Sequence, residues 1–374
     1  CACVCIVAVY LCCCPSFTFA GQKCFSTARP QLKRLAFFIP FDIAQQRFKP
    51  ITMMMMHLNN TLPRHKGVQV ARRLLATKPV SAGRNVVLVD GVRTPFCLSG
   101  TEFKELQAHD LGRMAMHGLL GKTGLNPKDV EYVCTGVVIQ EAKTSNVSRE
   151  SALQAGIPDT VPCHTVTMAC ISSNQAITSV ADMIRLGQID VGIAAGVETM
   201  SDVPIRFSRD MRKRMLAASK VKSPAGYLGL LKGFGLHSLA PELPAIAEFS
   251  TGETMGHSAD RLAARFGVTR LESDTYAMRS HHAAAKAQKD GLFAEEVLSV
   301  TPAPKFQVVS KDNIVRGDTT LEKLSSLKPA FVKPHGTITA GNASSLTDGG
   351  SAVLLMSEER ALALGYTPLA YLRD

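Results

Sequence analysis

The sequence predicts a layered α/β protein, and three observations carry that prediction. Between about residues 85 and 200, apolar runs of strand length alternate with segments of helical periodicity. One of these runs, Cys163 to Met168, leads through a helical pattern into a second strand, Asp190 to Gly196, the spacing of a parallel strand–helix–strand unit. Late in the chain a stretch rich in small residues, Gly336 to Gly350, passes into another strand-like run, Ser351 to Met356.

The folded region opens with NVVLVDGVRTPF, Asn85 to Phe96, an apolar strand closed by Asp90-Gly91 and Pro95. Leu111, Met114, Ala115 and Leu119 then mark one buried helix face. EYVCTGVVIQ reads as a strand, and NVSRESALQAG as a helix capped by Asn146 or Ser148. After the strand at Cys163, apolar residues recur at Ile177, Val180, Ala181 and Ile184, and Gly187 ends the run. Leu239 to Phe266 is broken by proline and then helical. LESDTYAMRSHHAAAKAQKDG is a long, Ala-rich helical pattern.

Charge sorts the chain into parts. The net charge is +11, yet residues 1–89 hold twelve Lys/Arg against one acid, Asp42, and the remainder is balanced. A general basic groove for nucleic acid is therefore not supported. Residues 1–21 are uncharged and rich in Cys, and seven of the eleven cysteines fall within 1–24. This stretch reads as an unreliable end, with a membrane span as the rival reading. From Met53 to Val89 the sequence is basic and acid-free with short apolar pieces such as ARRLLA, the chemistry of a mitochondrial transit peptide; a disordered basic arm is the alternative. The later cysteines, Cys97, Cys134, Cys163 and Cys170, are sparse, so no disulfide framework is expected, and no zinc-ligand spacing, phosphate loop or dinucleotide fingerprint is present.

From Arg206 to Lys232 there are eight basic residues and one acid, Asp210, interleaved with Met211, Met215, Leu216, Leu228 and Leu230. Residues 206–234 thus read as a surface for an anionic membrane or a partner, against a solvated face or a phosphate contact.

The chemistry is expected at Cys170. It stands at the strand–helix junction, which predicts a thiol in the first turn of the helix. Unpaired N–H groups and a partial positive charge there favour a thiolate and can hold an oxyanion. The competing reading is a small buried apolar residue. Cys163-His164 invites a dyad reading, but neighbours on a strand point to opposite faces. His257, His281 and His282 lie in helical contexts that do not aim them at Cys170.

MACISSNQA around Cys170, together with GVETMSDVPIR (Gly196 to Arg206), resembles the nucleophile region of thiolases, above all the mitochondrial trifunctional-enzyme branch of that family. Arg93-Thr94-Pro95 resembles the end of the family's first strand. GTITAGNASSLTDGG resembles the segment that returns to the first domain beside the nucleophile. The resemblance implies a thiolase-like layered αβαβα fold. It also implies thiolytic cleavage of long-chain 3-ketoacyl-CoA through acylated Cys170, with coenzyme A as a substrate and no metal or redox cofactor. Met255, in the Met255-Gly256 pair, would border the acyl and pantetheine channel, and Ser344 would contact the CoA arm; Asn342, Asp348 and Gly349, on residue chemistry alone, read as shaping the turn. It further implies a thiolase-type dimer, a hetero-oligomer with an alpha subunit, and mitochondrial inner-membrane association. The expected organisation is a leader over 1–84, a first domain from 85–201 plus 337–365, an insertion over 202–336, and at 366–374 the opening strand of a twin domain. That twin domain carries the family's His-Glu-Ala-Phe, Gly-His-Pro and Cys-x-Gly motifs; the first two do not occur in these 374 residues, and Cys-x-Gly occurs only as Cys134-Thr135-Gly136, within the strand-like EYVCTGVVIQ. Two rivals stay open: a short-chain or peroxisomal thiolase, and a non-catalytic lipid- or partner-binding chain.

Overall fold

A computed structural model describes residues 83–230 and 232–373; the expectations placed on residues 1–82 lie outside the described residues. Arg84 onward forms one compact unit. Its first strand, β1 (Val86–Arg93), is followed by the short β2 (Cys97–Leu98), helix α1 (Ala108–Thr123), and β3 (Tyr132–Gly136). Helix α2 (Val147–Gln154) leads to β4 (Cys163–Val166), and helix α3 (Ser172–Arg185) to β5 (Val191–Glu198). Asn146, not Ser148, caps α2 by accepting from Arg149 N at 3.2 Å. Ser148 points instead into the core, where its hydroxyl accepts from Thr135 Oγ1 at 2.9 Å.

The sheet runs β4-β3-β5-β8-β1-β9, with β8 (Thr347–Ser357) and β9 (Ala370–Leu372) joining from the end of the chain. Strands β4, β3 and β5 are parallel. β8 is antiparallel to both β5 and β1, β9 is antiparallel to β1, and β2 pairs with β8. The chain moves outward from β3 to the edge strand β4, then back across β3 to β5. Right-handed crossovers in opposite directions put their helices on opposite faces of a sheet. The packing agrees. Ala152 and Ala155, at the end of α2, join Ala115, Met116 and Leu119 of α1 on one face, against Val87, Val133, Ile193 and Leu354. Ala176, Val180, Ala181 and Ile184 of α3 cover the other, against Val86, Cys134, Ala194 and Leu355. Adjacent strand residues divide between the two faces, as the two-residue repeat of a strand requires. The result is the layered α/β arrangement expected from the sequence.

Between β5 and β8 lie the β6–β7 ladder (Arg206–Phe207 with Pro241–Glu242) and helices α4 (Arg209–Ala218), α5 (Pro224–Leu230) and α6 (Leu236–Leu239). Helices α7 (Met255–Phe266), α8 (Arg270–Lys289) and α9 (Leu321–Ser325) follow, and α10 (Glu358–Ala363) comes after β8. Of the described residues in 202–336, Val300 and Leu324 are the buried apolar ones. Polar pins hold this region in place of a large apolar core. Asp260 on α7 accepts from Thr337 N at 2.7 Å and Ile338 N at 3.0 Å. Asp274 on α8, fully buried, accepts from Arg270 Nε at 2.6 Å and Asn342 Nδ2 at 2.9 Å. At the end of β1, Arg93 donates to Glu296 at 2.9 Å and to both oxygens of Asp312 at 2.7 and 3.0 Å.

Candidate active site

Cys170 occupies a tight turn between β4 and α3. Thr167 leaves the strand and donates its hydroxyl to Val137 O at 2.8 Å. Ile171 N then donates back to Met168 O, and Ser172 N to Ala169 O, each at 3.2 Å. Ala169 lies in the left-handed region with φ of 46°, a conformation that costs a residue with a Cβ about 1–2 kcal/mol. The helix opens at Ser172 with Ile171 as its cap. Cys170 therefore stands two residues ahead of the first helical residue, outside the first turn expected from the sequence. The cause is local: the reversal at Ala169 uses up the residues that would otherwise have begun the helix. Cys170 is a free, half-buried thiol between two exposed apolar neighbours, Met168 and Ile171.

The helix start sits directly on the end of β3. A Cβ on Gly136 would lie 2.3 Å from the Ser172 carbonyl carbon, so only glycine permits this approach. Sequence reading did not single out Gly136, because nothing in its own neighbourhood signals the contact.

His164 does not meet Cys163. Its ring crosses to the paired strand, where Nε2 lies 3.2 Å from Cys134 Sγ and Nδ1 lies 3.1 Å from Tyr132 Oη. Burial pushes the Cys134 thiol up to about 12 and lowers the imidazole below its ordinary value. Both changes favour a neutral pair, the reverse of what a thiolate–imidazolium dyad needs. The other histidines are locally engaged. His257 Nδ1 pairs with Thr254 Oγ1 at 2.8 Å, His281 Nδ1 accepts from Arg316 N at 3.3 Å, and His282 Nε2 donates to Thr319 O at 2.8 Å.

Ser344 lies in the loop before β8 and lines a cavity of about 340 Å³, shared with Phe96, Tyr276, His281 and Arg316. Asn342 fixes this loop. Its Oδ1 accepts from Thr339 N at 2.8 Å, while its amide donates to Thr337 O at 2.8 Å and to Asp274. Arg316 is the cation of this lining, and sequence reading missed it; it stands alone in a loop without a periodic pattern. Met255 is the first residue of α7 and is 73% exposed. Beside it, a Cβ on Gly256 would fall 2.1 Å from the Phe331 ring. Cys170 and Met255 are not among the residues that line the Ser344 cavity.

Two buried carboxylates tie the segment after β5 to its neighbours. Asp348, on β8, accepts from Met200 N at 2.7 Å, Ser201 N at 2.9 Å and the Ser201 hydroxyl, so it shapes the turn that follows β5. Glu198 accepts from Val138 N at 2.9 Å and Ile139 N at 3.2 Å, holding the loop that receives the Thr167 hydroxyl. Among the described residues no group of three or more His, Cys, Asp or Glu is placed to hold a metal ion.

Comparison with known proteins places this geometry. Residues 86–359 match the thiolase N-terminal domain family. The chain is 60% identical over 291 residues to the mitochondrial trifunctional enzyme subunit beta of Macaca fascicularis, covering 78% of this chain and 61% of the relative. It is 56% identical over 290 residues to a probable 3-ketoacyl-CoA thiolase of Caenorhabditis elegans, covering 78% and 64%. The chain thus spans less than two thirds of the length of these relatives. Among solved structures, Bacillus anthracis acetyl-CoA acetyltransferase superposes with a TM-score of 0.67 at 34% identity, covering 78% of this chain and 70% of that one. Human mitochondrial 3-ketoacyl-CoA thiolase superposes with a TM-score of 0.67 at 30% identity, covering 77% and 69%; it has also been solved in complex with CoA. Sheet topology, the thiol-bearing turn and these matches agree: the chain belongs to the thiolase family.

Proposed function

We propose that this chain carries the nucleophile of a 3-ketoacyl-CoA thiolase acting on long-chain substrates in mitochondrial fatty-acid β-oxidation. Cys170 attacks the 3-keto carbon of the substrate. The bond between C2 and C3 breaks, and its electron pair leaves on the acetyl-CoA fragment, which takes up a proton. The shortened acyl group remains on Cys170 as a thioester until a CoA thiolate attacks it and restores the free thiol. Coenzyme A enters as a substrate, and the scheme requires no metal or redox cofactor. The single observation that carries this reading is the strained turn that presents Cys170 just ahead of a helix start, within the family-matched segment.

The reading puts the CoA arm beside Ser344, with Arg316 as a cation for its phosphates, and the acyl chain past Met255. The bases that move protons to and from Cys170 and C2 would come from the length of the relatives that this chain does not span. Mitochondrial residence is proposed from relatives named as a mitochondrial subunit beta; long-chain preference, a dimer and association with an alpha subunit rest on the family resemblance and are parts of the same proposal. The test is acyl transfer from long-chain acyl-CoA to the purified chain, read by peptide mass spectrometry. A thioester on Cys170, absent from Cys170→Ser, supports the reading. A chain that is never acylated at Cys170, even at about pH 9.5 where a thiol ionises without a base partner, overturns it.

One observation favours a second role, contact with an anionic membrane surface through residues 206–234. α4 and α5 contain no buried residue, and Met215, Leu216, Tyr227 and Leu228 are exposed beside Arg209 and Lys213. Two of the arginines are internally engaged, Arg212 with Glu242 and Arg214 with Asp210 at 2.8 Å. No described helix is long and apolar enough to cross a membrane. Co-sedimentation with cardiolipin-containing vesicles but not with neutral ones is the expected result. Equal recovery with both would exclude this surface.

A further inference from the structure

We propose that Ser172 is a positioning residue that clips the Cys170 turn shut. This inference rests on the reading of Cys170 as the acyl acceptor and extends it to a residue that does not touch the substrate. The Ser172 hydroxyl accepts from Met168 N at 2.9 Å and donates to Ala169 O at 2.6 Å. One side chain thus closes the loop on the residues that precede Cys170, from the position that follows its neighbour Ile171. The task needs a group that is donor and acceptor at once within one bond of Cβ, which is the inventory of a hydroxyl.

The surroundings make the clip rigid. Ser172 is fully buried. The end of β3 lies against its backbone, where even a methyl on Gly136 would come within 2.3 Å, so Ser172 cannot withdraw in that direction. Ala169 is held at φ of 46°, and a residue stays in that region only when its surroundings over-determine it. The two backbone bonds of the turn, at 3.2 Å each, are longer than the two made by the hydroxyl. Without the hydroxyl, the Met168 amide loses this partner and the Ala169 carbonyl loses this bond, so the turn that presents Cys170 is held less tightly.

The experiment compares the full wild-type chain with Ser172→Ala and Ser172→Thr, following acylation of Cys170 by long-chain acyl-CoA. For Ser172→Ala the acylation rate at saturating acyl-CoA is expected to fall by about tenfold to a hundredfold, as misplacement of a reacting atom does. The half-saturating concentration should stay within about twofold, because the CoA-binding loop is untouched. Ser172→Thr restores the hydroxyl and should recover most of the rate. Amide hydrogen exchange on the wild-type chain gives a measurement that needs no variant: Met168 N–H should be strongly protected. A Ser172→Ala chain acylated at the wild-type rate overturns the inference, as does a freely exchanging Met168 amide. If Ser172→Ala does not fold, the exchange of the Met168 amide in the wild-type chain decides the matter alone. A wild-type chain that is not acylated even at about pH 9.5, where a thiol ionises without a base partner, refutes the nucleophile reading instead, so the two failures are told apart.

Discussion

Removing the Asp312 carboxylate should destabilise this protein far more than removing any exposed acid. Arg93 is 3% exposed and stands at the end of β1. Asp312 takes two of its guanidinium bonds and also accepts from Phe96 N at 2.7 Å, while Glu296 takes a third. The guanidinium lies 4.4 Å from the centre of the Phe96 ring. Burial disfavours the Arg93 charge, but Asp312 and then Glu296 outweigh it, and its pKa lies above the ordinary value. Asp312→Ala leaves a buried cation with one carboxylate partner, Glu296, besides the Thr94 carbonyl, and takes away the acceptor of Phe96 N. Breaking a buried ion pair from one side costs about 3–5 kcal/mol. With an unfolding entropy of about 2.1 cal/mol/K per residue over roughly 290 residues, that corresponds to a fall in Tm of about 5–8 °C. Calorimetry reads the shift directly. Asp312→Asn keeps an acceptor for Phe96 N and should lose clearly less. Asp318→Ala, which breaks the exposed pair with Lys323 at 3.0 Å, is the control and should leave Tm nearly unchanged. Equal losses in Asp312→Ala and Asp318→Ala would refute the claim that the buried triad fastens β1 to the 293–313 segment.

Two further predictions address the site. Gly136→Ala drives a methyl into the Ser172 backbone and should cost about 1–3 kcal/mol by overpacking, with loss of Cys170 acylation; calorimetry and acylation assays check both. The pH dependence of stability follows from His164 and His281, whose pKa values burial lowers below 6.5, with Arg316 and His282 adding to the shift at His281. A histidine with a lowered folded-state pKa takes up its proton more readily when unfolded. Stability should therefore fall as pH drops below about 6.5. His164→Asn should flatten that slope in thermal melts between pH 7.5 and 5.5, and an unchanged slope would show that His164 is not responsible.

Local pattern determined much of this protein. The apolar period placed β1, α1, α3, β5 and α8 close to where they stand, because hydrophobic spacing follows the periods of helix and strand. Residue chemistry named Asn146 as a possible cap and Asn342 as a shaper of its own loop, whereas Asp348, expected to shape that same turn, stands in β8 and holds the turn after β5; the segment around Cys170 carried the family resemblance. What local pattern could not decide was anything set by pairing between distant parts of the chain. The direction of each crossover chose the faces for α2 and α3. Strand register brought His164 to Cys134 rather than to its neighbour Cys163. Arg93 found Asp312 across 219 positions of sequence, and Gly136 met Ser172 only because β3 runs beneath the start of α3. Periodicity is a property of neighbours along the chain; these contacts belong to neighbours in space, and they exist only once the sheet has assembled.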